Sequence, residues 1–441
     1  MKRLLSLLLC AVLALFCATT AQAAGVSITL TASEYALHYA FDTGAQDPFV
    51  ILEYATPAEK GWMMLYSADG HFEGDVSLAY SGAGGKTSVA LTSARTTGSI
   101  GKASTTLPKA ADYQKPTGKS NAKVTDFVLT ETPEGFHYAF NAIGTDYMLL
   151  YWRSKEQTVT QPVYPDENGH YEGDVVSELT FARTQFTVQV KSGSGSMKKE
   201  ATVRKGYQAP EAPQRQEGRL SGVTVCIDAG HQENGRFVNE PIGPGLTGST
   251  SGKGGMAQGT KTNRRESIVC LEIGMLLRDE LLRQGANVIM TREDQTTFHT
   301  NIERCEIAEA GGAQIMLRLH CNNSSNHSKR GIQVYGPLNS DYAKAVADAD
   351  TYREMGQELL DAMKTRVGMT LANSTGMVRL NDNYVGNNWA KMMCFLVEMG
   401  YLSNPAEEYL LVTPVYQQWL AEGMADGVYE IAVARGWVQA Q

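Results

Sequence analysis

Two different rhythms of apolar and polar residues divide the chain. From residue 25 to about residue 206 apolar positions alternate with polar ones, as in "SITLTA" at 27–32 and "DFVLTE" at 126–131. That is the period of strands with one buried face. From Val223 the rhythm changes to short apolar runs separated by amphipathic stretches. "VTVCID", "NVIMTR", "QIMLRLH", "GIQVYG" and "MCFLVEMG" read as strands. Residues 266–284, 301–311, a long stretch within 341–367 and the segment opened by Thr413-Pro414 read as helices. An all-β region followed by an α/β sheet domain is therefore expected.

The all-β region is internally duplicated. "HYAFDTGAQD" from His38 overlies "HYAFNAIGTD" from His137, and "DGHFEGDV" from Asp69 overlies "NGHYEGDV" from Asn168, both at an offset of 99 residues. Turn signals at Asp69-Gly70 and Asn168-Gly169, with short strands of even spacing, predict two tandem sandwich-like repeats at 25–105 and 122–206. His38, His71, His137 and His170 recur as pairs with no Cys or acidic cluster at ligand spacing, which favours a structural role, with a metal or ligand role as the alternative. Tyr147, Tyr151 and Trp152 read as core, with a sugar-binding face as the alternative. Polar, Pro-bearing stretches follow each copy, the second forming a linker at 207–218 before a last domain at 219–437.

At the N-terminus Lys2 and Arg3 precede the apolar run Leu4–Cys17, and small residues follow as far as Ala21-Gln22-Ala23. This is the pattern of a secretory signal peptide, residues 1–23. No other stretch approaches the roughly 20 apolar residues of a membrane span. The mature form is expected outside the cytoplasm, extracellular or wall-associated, or periplasmic in a cell with an outer membrane, as a monomer without a membrane span. A net charge of −8 argues against nucleic acid or teichoic-type polyanions as partners. Five cysteines remain after cleavage (Cys226, Cys270, Cys305, Cys321, Cys394), an odd number with apolar neighbours, and read as core thiols.

Polar residues interrupt the apolar runs of the last domain where an α/β sheet binds its ligands, beyond the carboxyl ends of the strands. His231 follows the first strand, His320 closes "QIMLRLH" and Glu398 closes "MCFLVE". Glu266 opens a helix whose inward stripe is Cys270, Ile273, Leu277 and Leu281. Singly, Glu266 reads as a first-turn acid favoured by the helix dipole and His320 as a core histidine. Jointly, two imidazoles and one carboxylate suit zinc in a catalytic rather than structural site, with Glu398 as the nearby base. Glu233 and Glu240 stand as alternative ligands to Glu266. Cys321 lacks a histidine placed to activate it as a nucleophile.

"IDAGH", a Glu after a Gly-rich loop, "LRLHCN" and "LVEMGYLSNPAEE" occur in that order over about residues 220–436. In these blocks the domain resembles the zinc-dependent N-acetylmuramoyl-L-alanine amidases. The resemblance implies a mixed, mostly parallel sheet with flanking helices and one Zn2+. It also implies hydrolysis, in peptidoglycan, of the amide between N-acetylmuramic acid and the L-alanine of the stem peptide. Carried over by motif, His231, Glu266 and His320 are the metal ligands and Glu398 the catalytic carboxylate. Ala229, Gln232-Glu233 and the run Arg318-Leu319-His320-Cys321-Asn322 depart from the family pattern without removing a ligand. Asn322, Asn388 and Trp389 are expected against the glycopeptide, and "EPIGPG" at 240–245 with "GSTSGKGG" as a groove wall or lid. The alternatives are a zinc peptidase acting within the stem peptide and a wall-binding protein that no longer cuts.

Overall fold

In the computed structural model the described residues are 19–440, apart from 23–25, 45–46, 97, 114–122, 133–134, 144, 146, 154–156, 177–184, 192–197, 205–209, 233–237, 251–254, 263 and 369–376. The chain forms two compact units, Met1–Lys205 and Gly206–Gln441.

The first unit holds fifteen described strands. The first copy spans β1 (Thr19–Gln22), β2 (Ser27–Ser33), β3 (Ala36–Asp42), β4 (Phe49–Ala55), β5 (Glu59–Tyr66), β6 (His71–Ser77), β7 (Gly85–Ser93) and β8 (Ser99–Leu107). The second spans β9 (Lys123–Thr132), β10 (Gly135–Ile143), β11 (Met148–Arg153), β12 (Gln157–Val163), β13 (His170–Val176), β14 (Gln185–Lys191) and β15 (Lys198–Arg204). β1 falls inside the expected signal peptide, so cleavage after Ala23 would remove this edge strand from β2.

Each copy contributes one small sheet, ordered β1-β2-β3-β6 or β13-β10-β9. The remaining strands join in one antiparallel sheet of eight, ordered β15-β14-β11-β12-β5-β4-β7-β8. The fusion occurs where β12 pairs with β5, Gln157 opposite Gly61. Each small sheet covers its own half of the large one over an apolar core: Leu30, Leu37, Leu52 and Leu91 in the first copy, Phe136, Leu150, Trp152 and Val188 in the second. Trp152 is fully buried there and offers no sugar-binding face. Tyr151 points away from that core, its ring covered by the Lys191 ammonium at 4.6 Å. Contrary to the sequence expectation, the duplicated histidines do have acidic neighbours, from the adjacent strand and from the same one: His71 lies 3.6 Å from Glu73 and His170 3.7 Å from Glu172. Across strands, His38 pairs with Asp75 at 3.0 Å, His71 with Asp42 at 2.7 Å and His137 with Asp174 at 2.9 Å, whereas His170 meets the neutral amide of Asn141 at 2.8 Å.

The second unit is an α/β domain. Its strands are β16 (Thr224–Ala229), β17 (Asn287–Met290), β18 (Ile315–Asn322), β19 (Gln333–Gly336), β20 (Met377–Leu380) and β21 (Met393–Tyr401), in the order β17-β16-β18-β21-β19-β20. Neighbours pair in parallel except β19 with β21. The described helices are α1 (Glu266–Arg283), α2 (Asn301–Ala310), α3 (Asp341–Val346), α4 (Ala349–Val367), α5 (Val385–Trp389), α6 (Glu407–Leu411) and α7 (Pro414–Ala434).

Most elements fall where the periodicity predicts them. The long helix expected within 341–367 is two, because Asp348 caps a new start: its side chain accepts the Thr351 N–H at 2.8 Å. α1 packs Cys270, Ile273, Leu277 and Leu281 inward, all fully buried. The five cysteines are free and buried. The linker is bonded to the second unit: Arg278 donates to Pro210 O at 3.0 Å, and the Gln216 N–H to Leu282 O at 3.0 Å.

Candidate metal centre

β16, β18 and β21 run parallel, so their carboxyl ends meet at one edge of the sheet. His231 lies two residues past β16, and His320 and Glu398 face each other as register partners on β18 and β21. Glu266, the first residue of α1, closes the group from above. Its Oε1 lies 3.0 Å from His231 Nε2 and 3.0 Å from His320 Nδ1, and it accepts the Cys321 N–H at 3.0 Å. Its Oε2 accepts the Ala257 N–H at 2.8 Å, which anchors the carboxylate to the preceding loop. The two imidazole rings stand nearly perpendicular, 4.9 Å apart.

These donors can hold a metal ion: one atom from each of His231, Glu266 and His320 lies within 4.8 Å of the others. Burial works against the Glu266 charge, but hydrogen bonds from His231 and His320 outweigh it and hold the carboxyl well below its usual range. Burial lowers the affinity of His320 for a proton, which leaves its imidazole in the neutral form that a metal requires. Beside the triad Glu398 is half-buried, and its Oε2 is enclosed without a hydrogen-bond partner. Burial, then the negative charge of Glu266, pushes its carboxyl up to about 8.

The backbone at His231 is strained, with φ at +58°. Gly230 before it is required by close approach: a Cβ there would lie 2.4 Å from Leu319 O and 2.6 Å from the His320 ring. A buried polar scaffold holds this turn. Asp228 is fully buried and accepts from Thr291 Oγ1 at 2.8 Å, from Arg318 Nε at 2.9 Å and from Arg304 Nη1. Burial alone would raise the Asp228 carboxyl, yet the two guanidinium groups hold it far below the usual carboxylate range. Arg304 also donates to Ala229 O at 3.0 Å and His231 O at 3.2 Å, and Arg292 to Ala229 O at 2.7 Å and Gly230 O at 2.8 Å. The sequence reading missed this scaffold, although its signal is visible: an arginine inside the apolar strand "IMLRLH" and an aspartate ending "VCID" need each other.

Among the described residues the other candidates lie outside the triad. Glu240 takes no part in the triad. Its oxygens accept the Ile302 N–H at 2.8 Å and the Asn301 amide at 2.7 Å, capping the start of α2. Glu233 lies outside the described residues. Asn388 is buried and donates to Ile242 O at 3.1 Å and Asp382 O at 2.9 Å, while the Trp389 indole donates to Pro241 O at 2.9 Å. Both therefore latch the "EPIGPG" segment. Asn322 is half-buried and donates to Gln333 at 3.2 Å. Cys321 is buried, which pushes its thiol well above the usual range and leaves it no nucleophile. "LSNPAEE" builds a turn: Asn404 accepts the N–H groups of Ala406 and Glu407 at 3.0 and 3.1 Å, and Glu407 those of Gly331 and Tyr401, each at 2.8 Å.

Residues 225–430 match the N-acetylmuramoyl-L-alanine amidase family. The germination-specific N-acetylmuramoyl-L-alanine amidase of Bacillus subtilis (strain 168) is 26% identical over 231 residues, a match covering 49% of this chain and 83% of the relative. The probable cell wall amidase LytH of Staphylococcus aureus is 27% identical over 218 residues, covering 48% of this chain and 60% of the relative. Among solved structures, an N-acetylmuramoyl-L-alanine amidase from Clostridium difficile 630 aligns at 24% identity and a TM-score of 0.38, over 48% of this chain and 96% of that one. The family match, with the curated amidase relatives beside it, makes residues 225–430 a domain of the N-acetylmuramoyl-L-alanine amidase family.

Proposed function

We propose that the chain is an exported, zinc-dependent peptidoglycan hydrolase that cuts the amide between N-acetylmuramic acid and the L-alanine of the stem peptide. The observation that carries this reading is the convergence of His231, Glu266 and His320 with the enclosed, unpartnered oxygen of Glu398 beside them. Two imidazole nitrogens and one carboxylate oxygen fit zinc, and three protein donors are the number found in catalytic sites. Zinc held there supplies Lewis acidity at the scissile carbonyl.

The remaining work falls to the chain's own groups. Glu398 accepts the proton of the attacking water and returns it to the departing amine of L-alanine. Its Oε2 is enclosed beside the triad, where it can take and return that proton. The buried Asp228, Arg292 and Arg304 keep the turn at His231 in place while the proton moves. Asn388 and Trp389 act on the glycopeptide through the "EPIGPG" segment they hold.

Export rests on the pattern of residues 1–23, and no described helix is long and apolar enough to cross a membrane. Mass spectrometry of sacculi digested with the purified chain tests the activity. Free muramic acid lactyl groups with intact stem peptides support it, and cuts within the stem peptide refute it. Metal analysis of the same preparation should return one zinc per chain.

A further inference from the structure

We propose that each β copy carries on its outward face a binding site for zinc, formed by two histidines and the glutamate between them, apart from the candidate metal centre of the second unit. Antiparallel register builds it. On β3 and β6, His38 stands opposite Asp75, Ala40 opposite Glu73 and Asp42 opposite His71. On β10 and β13, His137 stands opposite Asp174, Ala139 opposite Glu172 and Asn141 opposite His170. Strand alternation puts these side chains on the solvent side, because Tyr39, Phe41, Tyr138 and Phe140 between them belong to the core. The small alanine opposite each glutamate leaves room for two rings to lean over it.

In both copies the rings meet the glutamate with the same atoms. His38 Nε2 lies 3.3 Å from Glu73 Oε1, and His71 Nε2 lies 3.6 Å from its Oε2. His137 Nε2 lies 3.2 Å from Glu172 Oε1, and His170 Nε2 lies 3.7 Å from its Oε2. The Nδ1 atoms bond to outer partners: Asp75, Asp42, Asp174 and Asn141. Such an outer bond orients a metal-binding imidazole and fixes its tautomer.

Proton counting then calls for a cation. A neutral imidazole donates from one nitrogen and accepts at the other, and an ionised carboxylate only accepts. Where Nδ1 donates outward, Nε2 turns a lone pair toward the glutamate. Asn141 fixes this for His170: its amide donates to Asp126 at 3.0 Å, so its oxygen receives the Nδ1 proton. Among the described residues no lysine or arginine pairs with Glu73 or Glu172. The missing cation is a proton on each ring or one metal ion shared by both.

Spacing favours the ion. Donors bound to tetrahedral zinc at about 2.0–2.2 Å stand about 3.3–3.5 Å from one another. The four Nε2 separations run from 3.2 to 3.7 Å. The same rings make their outer hydrogen bonds at 2.7 to 3.0 Å. Two imidazoles and a carboxylate suit zinc. Each ring uses its own oxygen of the glutamate, a more open set than the triad, and the histidine side chains are exposed between 31% and 51%. Binding is therefore weaker and exchangeable: dialysis empties these two sites, and added zinc fills them. This assignment does not depend on the proposed hydrolase function.

Zinc uptake by the dialysed full chain, followed by equilibrium dialysis and metal analysis at neutral pH, tests it. The chain should take up two equivalents that a His38→Gln/His71→Gln/His137→Gln/His170→Gln variant does not, and the substitutions of one copy alone should remove one. Asp75→Asn changes only an outer bond and should weaken the first site by about 10–100-fold, a loss in zinc affinity that rings paired through protons alone would not show. Circular dichroism checks that every variant keeps its sheets. Equal uptake by the chain and the fourfold variant overturns the proposal, as does full affinity in Asp75→Asn. His231→Ala separates the sites: it should still take up the two equivalents, whether or not the triad holds zinc.

Discussion

His320 and Glu398 are register partners on adjacent parallel strands, so main-chain pairing alone places an imidazole of the candidate metal centre beside the enclosed carboxyl. Glu398→Gln keeps the shape of that side chain and removes its ability to carry a proton. Muropeptide cleavage should fall by about 10²–10⁴-fold while bound zinc stays near one per chain. Loss of zinc in this variant would instead make Glu398 a ligand.

The pairing of Asp228 with Arg304 and Arg318 is buried on all sides. Asp228→Asn leaves two guanidinium groups without their anion and should cost about 3–5 kcal/mol in denaturant unfolding. The folded carboxyl titrates far below the unfolded value of about 3.9, so its contribution is complete above that pH and fades only as pH falls further. The gap between wild type and variant should be constant from pH 8 to about pH 5 and narrow below pH 4. A gap that closes near neutral pH would refute this account.

Arg304 reaches the carbonyls of Ala229 and His231 with the guanidinium that also binds Asp228. A lysine cannot span that fork. Arg304→Lys should retain the fold yet weaken zinc binding by about 10–100-fold in a chelator competition assay, through loss of support for the strained turn. Unchanged affinity would show that His231 needs no such support.

The "EPIGPG" segment is held at Glu240, Asn388 and Trp389. Glu240→Gln replaces one of the two accepting oxygens at the start of α2 with a donating amide group and should cost about 1–3 kcal/mol. Limited proteolysis should cut the variant faster within residues 233–254. A digestion pattern like that of the wild type would leave the latch without weight.

Chelation should lower the melting temperature, because zinc held by residues from β18, α1 and the turn after β16 binds only the folded domain. At a free zinc concentration of about 100 Kd the stabilisation is about 2.7 kcal/mol. His231→Ala should melt at the same temperature with or without chelator. A chelator effect on that variant would point to a metal held elsewhere.

Local pattern determined much of this protein. Periods of two and 3.6 placed most strands and helices of the second unit, and polar residues ending apolar runs marked His231, His320 and Glu398, because periodicity and burial are properties of neighbouring residues. Pairing across the fold was decided elsewhere. Arg304 and Arg318 meet Asp228 from 76 and 90 residues away, and nothing near Asp228 in the chain names them. Asn388 and Trp389 stand out in the sequence as polar and aromatic loop residues, but their bonds to residues 241–242 are made only by the fold. The joining of two repeats into one eight-stranded sheet was equally hidden, since an edge strand's partner depends on which open edge the folded neighbour presents.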